Sequence, residues 1–470
     1  MLTPSDLPRI PHGFKAELGA MVRLALPMVA VQLGQMFMGV VDTVMVGRVS
    51  AEAIAAVGLG NLYFWGAAIF GLGVLLALDP VVAQAVGARD DLAVARGVQR
   101  GLVLALALSL LATAFLLPAR PVFGLLRQPE TVADIAGAYA RITAVGLMPF
   151  YAYSALRQSL QAMRRLAPIV GAMVAANLAN VALNYVLIFG KLGFPPMGAV
   201  GSAWATSISR WLMLGFLMAG AWRALRPRLV PFRRDAFAWA PLRRMLAIGA
   251  PAGGQYQLEY GVFAVVGVMM GWLGTVELAG HQVALNIASF TFMVPLGVSA
   301  AAAVLVGHAV GSGDPAEARR AAAAALTGGV GFMAMSAVVM LTAPQFLARV
   351  YTTDAAVAAM AVSLIPIAGV FQVFDGTQVV SIGILRGTAD THAPMVVNLL
   401  GYWLVGLPIS AALGFATDLG PRGLWWGLTA GLVLVALVLV WRVRWRLRGA
   451  LARVVIDHEV VPIAPGPASP

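Results

Sequence analysis

Residues 250–274 read APAGGQYQLEYGVFAVVGVMMGWLG, and this stretch decides the fold class. It is almost wholly apolar and, as a helix rising 1.5 Å per residue, long enough to cross a hydrocarbon core of about 30 Å. Yet Glu259 lies inside it, with Gln255 one turn earlier and Gln257 close by. An ionised group at the bilayer centre costs roughly 2.5–3.5 kcal/mol on insertion scales. A carboxylate there is expected to face a bundle interior or a wet cavity. It serves either as a structural partner of a neighbouring helix or as a proton- or cation-binding group on a transport path. Two further acids in the same setting, Asp42 and Asp375, favour the transport reading.

Composition agrees. Hydrophobic residues make up 60% of the chain, charged residues 11%, and the mean hydropathy is +0.85. A soluble domain carries about 25% charged residues, so the chain is read as an integral membrane protein. Its 470 residues have room for about a dozen helical spans. The formal net charge of +12 is not a nucleic-acid signature, because the arginines lie between apolar spans rather than along one face. Cysteine is absent, which excludes disulfides, thiolate chemistry and cysteine metal sites. The first residues are polar, contain Pro4, Pro8 and Pro11, and lack the pattern of a cleaved signal peptide. The first helix is expected to serve as the insertion signal.

Apolar periodicity and breakers place twelve spans near 20–46, 53–85, 98–118, 134–163, 167–190, 198–222, 243–272, 276–310, 318–343, 355–386, 394–416 and 420–445. The expected organisation is an all-α membrane protein in two six-helix halves. Residues 1–19 form a cytoplasmic N-terminal segment, 20–222 a first lobe and 223–242 a basic cytoplasmic linker. Residues 243–445 form a second lobe and 446–470 a cytoplasmic tail. Candidate kinks fall at Pro27, Pro80, Pro149, Pro251, Pro295 and Pro366. With the N-terminus inside, 24 of the 32 lysines and arginines fall on cytoplasmic segments, which places both termini in the cytoplasm of a multi-pass inner-membrane protein.

The halves are related. AEAIAAVGLGNL…VVAQAVGARD at 51–90 answers VELAGHQVALNI…VLVGHAVGSGD at 276–314. Glu52 matches Glu277, Asn61 matches Asn286, Gly87 matches Gly311 and Asp90 matches Asp314, all at nearly constant offset. Pro27 and Pro251 open the first span of each half. Ordered matches of this kind indicate a tandem duplication. Six spans per unit preserve orientation, so the lobes are parallel repeats about an axis along the membrane normal.

The polar residues inside the spans define the candidate site. Gln372 and Gln378 flank Asp375 by three residues and share its general helix face. The fifth span carries Asn177, Asn180 and Asn184, the last two one turn apart. Paired amides can hold a cation or a carboxylate, or simply tie helices together. Thr206 can bond a partner or its own backbone. Tyr256, Gln282 and Asn286 are further candidates to line the cavity. Asp79 precedes Pro80 and reads as a helix cap or a functional acid, and Arg210 is expected to snorkel or to pair with an acid.

These residues resemble the multidrug and toxic compound extrusion (MATE) family, in its NorM-like branch. The resemblance covers about residues 15–445. It rests on DTVMVGRVSAEAIAAVGLG (42–60), ANLANVALNYVLIFG with MGAVGSAWATSIS (197–209), and AGHQVALN…VGHAVGSGD. It implies two six-helix lobes in a V, export of hydrophobic cations against inward Na⁺ or H⁺, no cofactor beyond that coupling ion, no enzymatic activity and a monomer. It also implies that Asp42 is the acid of the first helix, with Asn180, Asn184 and Thr206 as its N-lobe partners. Glu259 and Asp375 are the C-lobe pair, which could take Na⁺ or share a proton. Some relatives have an aspartate where Asn184 stands, so a lone acid here points to a proton more than to Na⁺ in the N-lobe.

Three alternatives weigh against this. A flippase for a lipid-linked precursor would line its cavity with Arg and Lys, whereas the charges within these spans are mainly acidic. An intramembrane enzyme would need a paired catalytic motif such as HExxH, and none is present. A channel fits a duplicated chain with midplane acids less well than alternating access does.

Overall fold

Many helices here begin at capping side chains or prolines and end at glycines or tight turns, and that punctuation helps to set the element order. In the computed structural model, which describes residues 14–457, α1 (Phe14–Val46) runs through Pro27. Ser50 caps α2 (Ala51–Leu75), its hydroxyl accepting from the Ala53 amide at 3.1 Å, and α3 (Leu78–Gly87) continues the same span after one turn. Asp90 caps α4 (Asp91–Leu116) by accepting from the Ala93 amide at 2.9 Å. The first half closes with α5 (Ala119–Leu125), α6 (Glu130–Val145), α7 (Leu147–Ala162), α8 (Ala167–Phe189) and α9 (Gly198–Leu229). The second half comprises α10 (Trp239–Leu273), α11 (Thr275–Ser312), α12 (Pro315–Thr342), α13 (Pro344–Tyr351) and α14 (Ala355–Gly387). Asp314, the repeat mate of Asp90, caps α12 in the same way, accepting from the Glu317 amide at 2.8 Å. Helices α15 (His392–Asn398) and α16 (Leu407–Phe415) are joined by a π-helical stretch, Leu399–Gly406, and α17 (Pro421–Arg448) ends the bundle.

Among the described residues, nine helical stretches are long and apolar enough to cross a membrane. The other three predicted spans are also helices. Gly146 divides the fourth into α6 and α7. Helix α9 carries Arg210 and α10 carries Gln255, Gln257 and Glu259, so both are more polar than a plain lipid-facing span. The all-helical architecture of two six-span halves is therefore as expected. The short helices α5 and α13 were not anticipated. They occupy the same place in each half, after its third span, which extends the repeat. The segment read as a linker is largely helix: α9 continues past Pro227 to Leu229 and α10 starts at Trp239, with a single 3-10 turn, Arg234–Phe237, between them. Arginines outside a bilayer are solvated, so nothing forces the helix to stop where hydrophobicity does. Of the predicted terminal segments, residues 1–13 and 458–470, Arg9 included, lie outside the described residues.

The lobes have separate cores over most of their length. One cluster joins buried residues of α2 to α9, and another joins α10, α11, α14 and α17 with Tyr402. The first turns of each half are exchanged. Met21, Leu24, Ala25 and Met28 of α1 pack with α11, α12, α14 and α17, while Leu242 and Met245 of α10 pack into the first-half core. Both exchanged segments lie at the end of the bundle that carries the basic loops, termed here the basic end.

At that end the duplication builds a contact that mirrors itself. Gly87 of α3 lies against the backbone of His308 on α11, and its mate Gly311 lies against the backbone of Gln84. Gln84 Nε2 donates to the Gly387 carbonyl at 2.9 Å, and His308 Nε2 bonds the Ala162 carbonyl at 2.6 Å from the opposite side. Self-complementary pairs of this kind are what a two-fold axis between related units produces. The chain after α17 then crosses the basic end. Arg453 meets Asp90 at 2.8 Å, Asp457 meets Arg100 at 2.6 Å, and Ile456 is buried in the first-half core. Farther along the bundle, α1 and α8 of the first half and Phe290 and Tyr351 of the second line an apolar cavity of about 670 Å³ that includes Gly34, Phe37, Met173 and Asn177.

Candidate functional site: two polar clusters in two lobes

The N-lobe cluster forms where α1, α8 and α9 cross. Asp42 is almost fully buried, and two neutral donors share its carboxylate: Asn184 Nδ2 at 2.6 Å on Oδ1 and the Thr206 hydroxyl at 2.7 Å on Oδ2. Asn184 also donates to Asn180 Oδ1, one turn earlier on α8, at 3.1 Å. All four predicted residues are thus brought together. Thr206 bonds the carboxylate rather than its own backbone, so of its two readings the partner role holds. Asn177 is not part of the cluster, since its amide donates to Met173 O at 2.9 Å.

Arg210 lies one turn beyond Thr206 on α9. It neither snorkels nor forms an ion pair among the described residues. Its guanidinium lies 4.2 Å from the centre of the Phe64 ring and 4.8 Å from that of Phe150. Aromatic faces present negative potential, so two rings hold a buried cation without neutralising the acid nearby. Thr206→Val tests the cluster. It keeps the volume but leaves Asp42 Oδ2 without a donor inside the bundle, which costs about 1–3 kcal/mol. The midpoint of thermal denaturation in detergent is expected to fall for Thr206→Val and to be retained by Thr206→Ser.

The C-lobe cluster forms between α10, α14 and the π-helical stretch. Glu259 is half-buried and Asp375 nearly fully buried, near enough for the charge of Glu259 to act on Asp375. Gln378 Nε2 reaches Glu259 Oε1 at 3.5 Å, and the Tyr402 hydroxyl donates to Gln378 Oε1 at 2.9 Å. Asp375 Oδ1 is buried and has no hydrogen-bond partner. A buried carboxylate oxygen left open in this way is a ready acceptor for a proton or a cation. Among the described residues no group of three or more His, Asp or Glu gathers.

Gln255 is buried one turn from Glu259, and Tyr256 lies beside it. Gln372 faces away from the acids. Its amide donates to Ser336 Oγ at 2.9 Å and its oxygen accepts from Thr291 at 2.6 Å, so it ties α11, α12 and α14 together. Gln282 is exposed and Asn286 half-buried on α11, and neither is hydrogen-bonded to the acids.

Two residues gain roles that sequence reasoning missed or misread. Tyr402 was not singled out. The π-helical stretch that turns it inward has no hydropathy signature, although such segments often mark functional sites. Asp79 is not a helix cap: the residue preceding α3 is Ala77, which makes no side-chain cap bond. Asp79 instead lies 2.8 Å from Arg386 of the other lobe.

Comparison with known proteins identifies the fold and the family. The MatE family model matches the chain twice, over residues 27–186 and 251–412, one match in each half and each starting at the proline of its first span. The multidrug resistance protein NorM of Burkholderia vietnamiensis is 38% identical over 436 residues, covering 89% of this chain and 92% of that one. The multidrug resistance protein MdtK of Edwardsiella ictaluri is 34% identical, covering 91% and 95%. Among solved structures, the eukaryotic MATE transporter AtDTX14 superposes with a TM-score of 0.84 at 22% identity, over 92% of this chain and 99% of that one. An outward-facing multidrug resistance MATE family transporter superposes equally well, at 21% identity over 92% and 96%. With its family pattern present once in each lobe and an acid cluster in both, the chain belongs to the MATE family of multidrug transporters, in the NorM-like branch.

Proposed function

We propose that this protein exports lipophilic cations from the cell in exchange for inward Na⁺ or H⁺. The observation that carries this reading is the C-lobe cluster: α10 and α14 each bring a carboxylate into a membrane-spanning bundle, Gln378 reaches Glu259 at 3.5 Å, and one oxygen of Asp375 is left without a partner. Acids that bind a cationic drug at one stage and a small cation at another make the two compete, and competition at one site converts transport into exchange. The apolar cavity between the lobes, with few polar groups on its wall, suits broad rather than selective drug binding. The membrane supplies about 2.3 kcal/mol per charge at 100 mV, enough to drive the exchange.

The distribution of basic residues supports a cytoplasmic basic end, with both termini inside and the protein in the inner membrane. The mirrored glycine contacts and the Asp79–Arg386 pair join the lobes at that end, which supports a conformation open to the outside. The C-lobe set of carboxylates, amides and a tyrosine does not favour binding of a lipid-linked phosphate.

The deciding experiment uses proteoliposomes and ethidium fluorescence under an imposed Na⁺ gradient and, separately, an imposed pH gradient. Ethidium movement driven by at least one gradient is the expected result and identifies the coupling ion. No movement under either gradient, together with translocation of a fluorescent lipid, would overturn the proposal.

A further inference from the structure

Asp79 and Arg386 form an ion pair across the lobe interface, and both side chains are buried. Asp79 stands in the first turn of α3 in one lobe and Arg386 near the end of α14 in the other. The neighbouring contacts of the basic end come in mirrored couples, Gln84 with Gly387 and His308 with Ala162. The ion pair has no such mate. The position corresponding to Asp79 in the second half is Ala303, so this pair itself is not duplicated across the pseudo-axis.

The pair lies on the side that leads to the C-lobe acids. Arg386 lines a small cavity with Gln255, Tyr256, Asp390 and Thr391, and Gln255 is one turn from Glu259. On α14, Arg386 follows Asp375 by about three turns, which brings it back to the same helix face. Of the other charges nearby, Arg442 meets Asp390 at 2.8 Å, while Arg157, which donates to the neutral Gln32 at 3.0 Å, is near enough for its charge to act on Asp79 without pairing with it. Asp79 Oδ2 and Arg386 Nε are 2.8 Å apart, a contact that holds only while the lobes are together.

We propose that Asp79 and Arg386 are the ionic gate of the basic end, a pair that closes with the lobes and must separate whenever they open there. The inference rests on the alternating-access reading, in which the basic end opens once per cycle. While the lobes are together, each charge neutralises the other in a dry interface. When they part, water solvates both. The intact pair therefore adds little net bias, whereas one charge left alone in the closed interface is strongly unfavourable. Removing either partner pushes the protein toward opening at the basic end. Removing both, or exchanging them, restores the closed state.

The chain has no native cysteine, so one introduced thiol reports on opening without background. Ala83 is buried against Gly307 in the interlobe contact. In Ala83→Cys protein in detergent, reaction with a membrane-impermeant maleimide is expected to be slow. Adding Asp79→Asn or Arg386→Gln is expected to speed labelling at least tenfold. The neutral double variant, Asp79→Asn with Arg386→Gln, and the exchanged variant, Asp79→Arg with Arg386→Asp, are expected to fall back to within about threefold of the parent. Single variants that label at the parent rate would overturn the proposal, as would neutral and exchanged variants that label as fast as the single ones. If both single variants fail to fold while the neutral pair folds, the pair is structural and the gate is again overturned. Labelling needs no transport, so this result stands apart from the ethidium assay.

Discussion

Glu259→Gln and Asp375→Asn are each expected to reduce gradient-driven ethidium efflux by roughly 10- to 100-fold in proteoliposomes. Both substitutions keep shape and hydrogen-bonding capacity but remove the charge that a proton or Na⁺ neutralises. An interaction with a charged group contributes about 1.5–3 kcal/mol, and each 1.4 kcal/mol is tenfold in an equilibrium constant. Gln378 reaches Glu259 at 3.5 Å and is itself held by Tyr402 at 2.9 Å, so a glutamine at 259 still finds a partner and the fold is expected to persist. Loss of coupling with unchanged thermal stability is therefore the predicted signature. Efflux that survives both substitutions would shift the coupling site to Asp42, whose two donors already occupy both of its oxygens.

The second large effect is expected at the basic end. Gly311→Val is predicted to cut transport at least tenfold and to raise thiol labelling at Ala83→Cys. A Cβ at residue 311 would run into the backbone carbonyl of Gln84, and backbone there cannot swing aside as a flexible side chain would. Overpacking of a tight interface costs about 1–3 kcal/mol. Conformations that exchange during transport differ by only a few kcal/mol, so a penalty of that size on one of them changes its population by an order of magnitude or more. Gly87→Val, its repeat mate facing His308, is expected to behave alike. Gly331→Val, at a glycine with open space around its would-be Cβ, is the control. Equal transport in all three variants would show that close approach at the pseudo-axis is not required.

Much of the site was legible before any coordinates. Asp42, Glu259 and Asp375 stood out because a carboxylate in an apolar span is costly and demands a reason. Asn180, Asn184 and Thr206 followed from the family resemblance, and the structure brings them onto Asp42. Arg210 and Asp79 were noticed for the same reason but their partners were not. Arg210 went to two aromatic rings, and Asp79 went to an arginine in the other half of the chain. Gln372 shares the sequence neighbourhood of Asp375 yet turns toward α11 and α12.

The division follows from the range of the forces involved. Hydropathy, helix punctuation and the internal repeat are local or self-comparing properties of the chain. By themselves they determined a membrane protein of twelve spans in two parallel halves, with acids inside. Which face of each helix turns inward depends on packing between segments hundreds of residues apart, as between Gln84 and Gly387 or Asp90 and Arg453. Only the tertiary structure decided that the exchanged first helices, the mirrored glycines and the Asp79–Arg386 pair all meet at the basic end. Backbones can approach there because glycine leaves room, and a charge can be buried there because its counter-charge arrives from the other lobe.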